Sequence, residues 1–243
     1  MNRNIIAALV LGAGIALAGL FAGVGFARGR AADRFVTVKG VSEREARADL
    51  AIWPLRLVAA GDDLARTHAE LQRSVQIVRD FLARQNVDTA EVSLQDFSVS
   101  DANANQYGGP VNPGARFVIR QTMVVRSTNP DVVLTASQRV AELVNAGVVL
   151  SSGAEYGPGG GPTFLFTQLN ELKPEMIAEA TARAREGAEQ FARDSRAELG
   201  GIRRANQGVF EILPRDQAPG ITQEGQVVKT VRVVSTIEYG LKD

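Results

Sequence analysis

The chain offers little of what side-chain chemistry normally needs: one histidine, no cysteine, and carboxylates scattered at helix starts. His68 could act as a general base or metal ligand. No second histidine completes a metal site, and His68-Ala69-Glu70 lacks the spacing of a zinc-protease helix. His68 therefore reads as a packed or partly exposed structural residue. The glycine run Gly157 to Gly161 invites a phosphate-loop reading, but a P-loop requires Lys and Ser or Thr directly after its last glycine. Pro162 follows instead, so a hairpin turn is expected. No Ser stands in a Gly-x-Ser-x-Gly elbow. Asp62, Asp63, Asp131, Glu171 and Glu175 cluster at expected helix starts, where the orphan amides and the positive dipole end account for them. Trp53 is expected in the core, and Tyr107, in a polar loop, is the better candidate for a surface contact. No catalytic, cofactor-binding or metal-ligating residue is assigned, and no cofactor is called for.

Composition agrees. With 27 basic and 27 acidic residues the chain has no net charge, so the basic excess that neutralises phosphates is missing and no nucleic-acid partner is expected. The absence of cysteine removes disulfides, thiolate nucleophiles and iron–sulfur clusters together. At 45% hydrophobic and 22% charged the 243 residues suit a folded protein.

Ile5 to Phe26 carries no charge, after a short start with Arg3. As a helix it would rise about 33 Å, enough for a hydrocarbon core of ~30 Å. A signal peptide usually has a shorter apolar core, of about 7–15 residues. Gly25-Phe26-Ala27 offers a small-x-small cleavage pattern, yet the length favours a retained anchor. Residues 1–30 are thus expected to form a transmembrane helix and 31–243 a single α+β domain, with the membrane as a partner through residues 5–26. Arg28 and Arg30 nearly balance Arg3, so charge alone leaves the orientation open.

In the soluble part, Phe35–Val41 and Ala51–Ala59 read as strands, Trp53, Leu55 and Leu57 alternating on one face of the second. Pro54 lacks a ladder donor, which predicts an edge strand or a bulge. Glu43 to Arg47 alternates in sign and reads as a solvated connection between the two. Asp62 is expected to open a helix with Asp63 in its first turn. Its stripe is Leu64, His68, Leu71, Val75, Val78 and Leu82, ending near Asn86. Strands follow near Glu91–Val99 and Arg116–Arg126, the latter presenting Phe117, Ile119, Met123 and Val125 together. A polar Gly/Pro-rich loop from Asp101 to Gly114 joins them. Asn129-Pro130 starts a second helix that Gly147 ends. A strand pair is expected near Val148–Tyr156 and Thr163–Gln168. A third helix runs from Pro174 to Leu199, closed by Gly200-Gly201, with a small-residue stripe of Ile177, Ala180, Ala184, Ala188 and Phe191. Strands Ala205–Ile212 and Gln226–Tyr239 finish the chain. This order predicts an α+β fold: a mostly antiparallel sheet with three helices on one face, preceded by one N-terminal transmembrane helix.

Val36-Thr37-Val38-Lys39-Gly40-Val41-Ser42-Glu43, the strand through Ala51-Ile52-Trp53, Val92 to Val99, the Ala-rich third helix and Val231-Arg232-Val233 follow one another in an order that resembles the SIMPL-domain family. These are periplasmic and outer-envelope immunogenic proteins of Gram-negative bacteria. The resemblance covers about residues 35–241, and Ala51-Ile52-Trp53-Pro54 departs from the commoner family strand. It implies an inner-membrane, single-pass protein with its N-terminus in the cytoplasm and its domain in the periplasm. It further implies assembly into rings for some members, links to oxidative-stress physiology, and no established enzyme activity. The expected function is a non-enzymatic, self-associating scaffold or stress-related interaction module of the cell envelope, a homo-oligomer whose other partners the residues do not name. A periplasmic hydrolase built on carboxylates, or a lipid- or ligand-binding module, is the alternative.

Overall fold

A computed structural model describes residues 3–31, 34–103, 115–151 and 161–242. It is an α+β fold, but the elements depart from the expected single sheet with three helices. Among the described residues there are five α-helices and two antiparallel four-stranded sheets. The region expected as one domain divides into two compact units. One holds 1–43, 172–211 and 232–243, and the other 44–171 and 212–231.

The N-terminal helix α1 runs Arg3–Ala31. Among the described residues no helix is long and apolar enough to cross a membrane.

In the first unit, β1 (Phe35–Arg47) enters a sheet of order β1-β8-β6, with β8 at Val228–Lys242 and β6 at Glu198–Gln207. Backbone bonds from Leu241 to Arg34 (2.9 Å) and from Ala48 to Val227 (2.8 Å) tie opposite ends of β1 and β8, which makes them antiparallel. Glu43 to Arg47, expected as a connection, continues β1: Ser42 and Ala46 are buried while Glu43, Glu45 and Arg47 face out. That is the period-two signature of a strand.

Helix α5 (Leu169–Asp194) lies on this strand. Its buried stripe is Met176, Ala180, Ala184, Ala188 and Ala192; Phe191, expected inside, is 60% exposed. The small stripe brings the helix backbone onto Gly40, where an added Cβ would overlap the Ala180 carbonyl oxygen and sit 2.5 Å from the Ala184 nitrogen. Ser42 completes the contact by donating to Glu179 at 2.8 Å. Pro174 lies inside α5 rather than at its start. The helix ends before Gly200-Gly201, because Arg196 takes the left-handed conformation (φ 54). Its N–H then bonds Arg193 (3.1 Å) and that of Ala197 bonds Ala192 (2.9 Å), satisfying the last carbonyls.

The second unit is built on the order β3-β4-β2-β5, with β2 at Leu50–Gly61, β3 at Val92–Asp101, β4 at Phe117–Ser127 and β5 at Thr163–Leu165. Trp53, Leu55 and Leu57 on β2 and Ile119, Met123 and Val125 on β4 form one face. Helix α2 (Leu64–Arg84) covers it with Leu71, Val75, Val78, Phe81 and Leu82. Each large apolar side chain buried there contributes about 1.5–3 kcal/mol. The expected stripe is corrected at its first turn, where Leu64 and His68 are exposed and Thr67 is buried. Asp63, not Asp62, is the cap, accepting from Arg66 N–H at 2.8 Å, and Thr67 Oγ1 bonds Asp63 O at 2.7 Å, which turns Thr67 inward.

Pro54 does not mark an edge. β2 is internal, pairing β4 along Ala51 to Gly61 and β5 at Leu50 to Ile52. Val58 N–H points away from β4, to Val149 O (3.2 Å), and residues of the same parity point the same way. Pro54 shares that parity. It falls between the β5 pairing and the bridge at Leu57–Leu150, so its missing N–H interrupts no bond to β4.

The second expected helix is two: α3 (Pro130–Gln138) and α4 (Ala141–Asn145). Ser137 Oγ bonds back to Leu134 O at 2.7 Å, and the Arg139 and Val140 amides reach only three residues back, which breaks the ladder between them. Gly147 (φ 84) closes α4 as expected. Of the expected Val148–Tyr156 strand the structure shows only the bridge at Leu150, and 152–160 lie outside the described residues. The expected strand at Ala205–Ile212 is instead the end of β6 and the start of β7 (Glu211–Pro214).

Gly40→Ala tests the helix–strand contact. Overpacking of this kind costs about 1–3 kcal/mol or more, so urea unfolding should show a loss of at least ~2 kcal/mol. Gly201→Ala, with open space around its Cβ position, should change stability by less than ~0.5 kcal/mol.

Candidate functional site

The carboxylates singled out in the sequence are not gathered into one place. Asp63 caps α2, Asp62 accepts the Arg116 backbone N–H at 3.1 Å, and both Asp131 oxygens accept from Arg47 Nη2, at 2.6 and 2.8 Å. Glu171 stands in the first turn of α5, and Glu175 lies further along that helix. Among the described residues no three His, Asp or Glu side chains come together in a way that could hold a metal ion. Trp53 is buried. Tyr107 and residues 157–160 of the glycine run lie outside the described residues.

The feature that stands out in the second unit is β3. It is the outer strand of its sheet, and Ser93 to Ser100 are exposed on both faces, including Leu94, Phe97 and Val99. An outer strand keeps a row of backbone donors and acceptors free for another strand. Between Gln95 and Ser98 its register with β4 shifts, and Asp96 adopts φ 53. This bulge re-aims Phe97 toward α2. There its ring meets His68 edge-on, with centroids 6.1 Å apart and planes at 88°. His68 Nε2 is also 3.3 Å from Gln72 Nε2. His68 is thus an exposed ring steadying the bulge.

The far end of β3 is clamped at the base of the loop to β4. The Arg116 guanidinium donates to Asp101 at 3.3 and 3.2 Å and stacks over the Phe117 ring, 4.7 Å from its centroid. Asp101 also accepts from Asn103 N–H at 2.9 Å. These bonds, the Arg116 pair first, hold the Asp101 carboxyl below its ordinary 3.8. A cleft of about 470 Å³, lined by Val58, Ile77, Glu70, Arg73 and Val149, opens on the same unit.

Two features escaped sequence reading. Pro54 predicts an outer strand at β2 while the structure places it at β3, because a sequence does not show which strand neighbours which. Lys229 was passed over although it shares the parity of Val227, Val231 and Val233; its side chain is fully buried.

Two antiparallel sheets, each carrying its own helix, with β3 as an outer strand among the described residues and the named carboxylates used as caps and clamps, define a fold of α+β type. The chain belongs to the SIMPL family, described as a protein of unknown function (DUF541), whose profile matches residues 36–238. No curated protein matches the chain.

Two substitutions check this geometry. His68→Gln should change stability by under about 0.5 kcal/mol, read by thermal unfolding. Arg116→Gln should raise the Asp101 carboxyl toward 3.8, followed by NMR titration. In the native protein the lowered value means that stability from this pair is present above the unfolded pKa and fades as pH falls through the folded one.

Proposed function

We propose that this chain is a non-enzymatic module of the cell envelope that associates with copies of itself through β3 and is held at a membrane by α1. The observation that carries the reading is β3: an outer strand, exposed on both faces, bearing Leu94, Phe97 and Val99. A second copy satisfies its free amides and carbonyls and covers those side chains at once. Among the described residues the Asp101 and Glu224 carboxyls are both lowered. An acid–base catalyst of the carboxylate type calls for one that is raised.

Membrane attachment draws on the uncharged run 5–26. Exposed Leu11, Ile15, Leu17, Leu20, Phe21 and Val24 point to all sides of α1, as a helix does when its surroundings are lipid. The periplasmic position of residues 34–242 and a part in oxidative-stress physiology follow from the resemblance to envelope proteins. They are part of the same proposal.

Light scattering on residues 34–243 over a hundredfold concentration range should give a mass above one chain, and Leu94→Lys with Val99→Lys should return it to one. A single-chain mass for the native sequence at every concentration would overturn self-association. Intact-mass measurement of the protein from native membranes should find residues 5–26 retained after carbonate washing; a chain starting near Arg28 in the wash would overturn attachment by α1.

A further inference from the structure

Lys229 is the one charged side chain among the described residues that is completely buried. It sits on β8, and its ammonium turns back onto the short 3-10 helix Gln223–Gly225 that precedes the strand. It donates to Gln223 O, to Gln223 Oε1 at 3.2 Å and to Gln226 O at 3.1 Å, so its three protons meet three oxygens. Gln223 extends the chain: its Nε2 donates to Glu224 Oε1 at 2.7 Å. One amide side chain therefore links the buried cation to a solvent-facing carboxylate. Gln226 closes the other side of the loop, donating to Asp216 O (3.3 Å) while its Oε1 accepts from Asp216 N–H (3.2 Å).

We propose that Lys229, Gln223 and Glu224 form a latch on the loop 216–226, held shut by an ion pair relayed through an amide and released by acid. Burying an ammonium is costly unless a counter-charge offsets it. Glu224 is that counter-charge. Charged groups on the strands that pair with β8 and on the loop include Arg44, Glu45 and Arg47 on β1, Glu211 on β7, and Arg215 and Asp216. Glu45 is taken by Arg215 at 3.5 Å. Arg44 shares the face of buried Ala46 and has the same sign as Lys229, so it cannot replace Glu224. β5, which packs on the 3-10 helix, brings no charge.

Acidity at the two ends runs in the same direction. The Glu224 carboxyl is held below its ordinary 4.5, first by its own backbone N–H, then by Thr222, Gln223 and the Lys229 charge. A lowered carboxylate favours the closed loop above its ordinary value and ceases to do so as pH falls through the lowered one. Burial pushes Lys229 below 10.5, with Glu224 opposing. The cost of the buried cation is therefore fully present at neutral and acid pH and is relieved only in alkali. Once Glu224 is neutral, an open loop that returns Lys229 to water becomes the better state.

Hydrogen exchange on the full-length chain in detergent micelles tests this, comparing a peptide over 219–227 with one over β4 after correction for intrinsic exchange rates. In the native protein, protection of 222–226 should fall at least roughly tenfold between pH 7 and pH 3, while β4 stays protected. Glu224→Gln should show that loss already at pH 7 and little further change in acid. Gln223→Leu, which keeps both charges but cuts the relay, should behave like Glu224→Gln. Native-like protection and acid response in both variants would overturn the latch. Parallel loss in the β4 peptide would overturn it too, by showing general unfolding in place of a local release.

Discussion

Direct contact between the α5 backbone and β1 at Gly40 is the constraint on which the first unit is arranged. A helix normally stands off from a sheet because side chains fill the gap. Here the Ala180, Ala184 and Ala188 stripe and a side-chain-free position on the strand close that gap to backbone contact. Little apolar volume remains between the layers, and the associated cluster is correspondingly small: Val38, Ala184, Ala188, Ile237 and Tyr239. Such a layer depends on fit more than on bulk, so an added methylene is felt where a larger core would yield. The Ser42–Glu179 bond is a directional contact in the same place, fixing where along β1 the helix lies.

The second unit solves the packing problem in the opposite way. Trp53, Phe81, Phe164 and Met123 fill a deep apolar core, and the polar residues near it are caps and clamps. Asp63 starts α2, Arg47 holds Asp131 at the start of α3, and Asp49 accepts from Thr167 N–H (2.7 Å) and Oγ1 (2.6 Å). Asp63, Asp131 and Asp49 are thereby committed to local structural bonds. The outer strand β3, the bulge at Asp96 and the clamp at Arg116 shape the unit's surface. They leave backbone groups open on one side while fixing the strand's ends.

Local order determined much of this by itself. The period-two runs in β2, β4 and β8, the Leu71–Leu82 stripe of α2, the Pro130 start of α3, the Gly147 stop and the small-residue stripe of α5 all arise from side chains a few residues apart. Spacing along the chain is then the physical cause, and spacing is visible in a sequence. The close approach of the alanine face belongs to the same class, since a row of small residues permits it wherever the helix lies. Family membership was legible for a related reason: the order of strands and helix carries it, and no single residue has to.

Tertiary structure decided what depends on neighbours distant in sequence. Pro54 restricts its own donor but cannot say whether a strand lies on that side; only the short β5 and the bridge at Leu150 show that it needs none. His68 kept the helical spacing of an apolar stripe, yet a bond between Thr67 and Asp63 rotated it outward to meet Phe97 across a bulge. Arg196 ends α5 in a conformation usually left to glycine, because the two bonds it completes outweigh the local cost. Lys229 is the sharpest case. Alternation places it on the inner face, but whether an inward lysine is tolerated depends on oxygens supplied by a turn that folds back over it. Those oxygens belong to Gln223 and Gln226, close in sequence, but alternation alone does not show that the turn aims them at the ammonium.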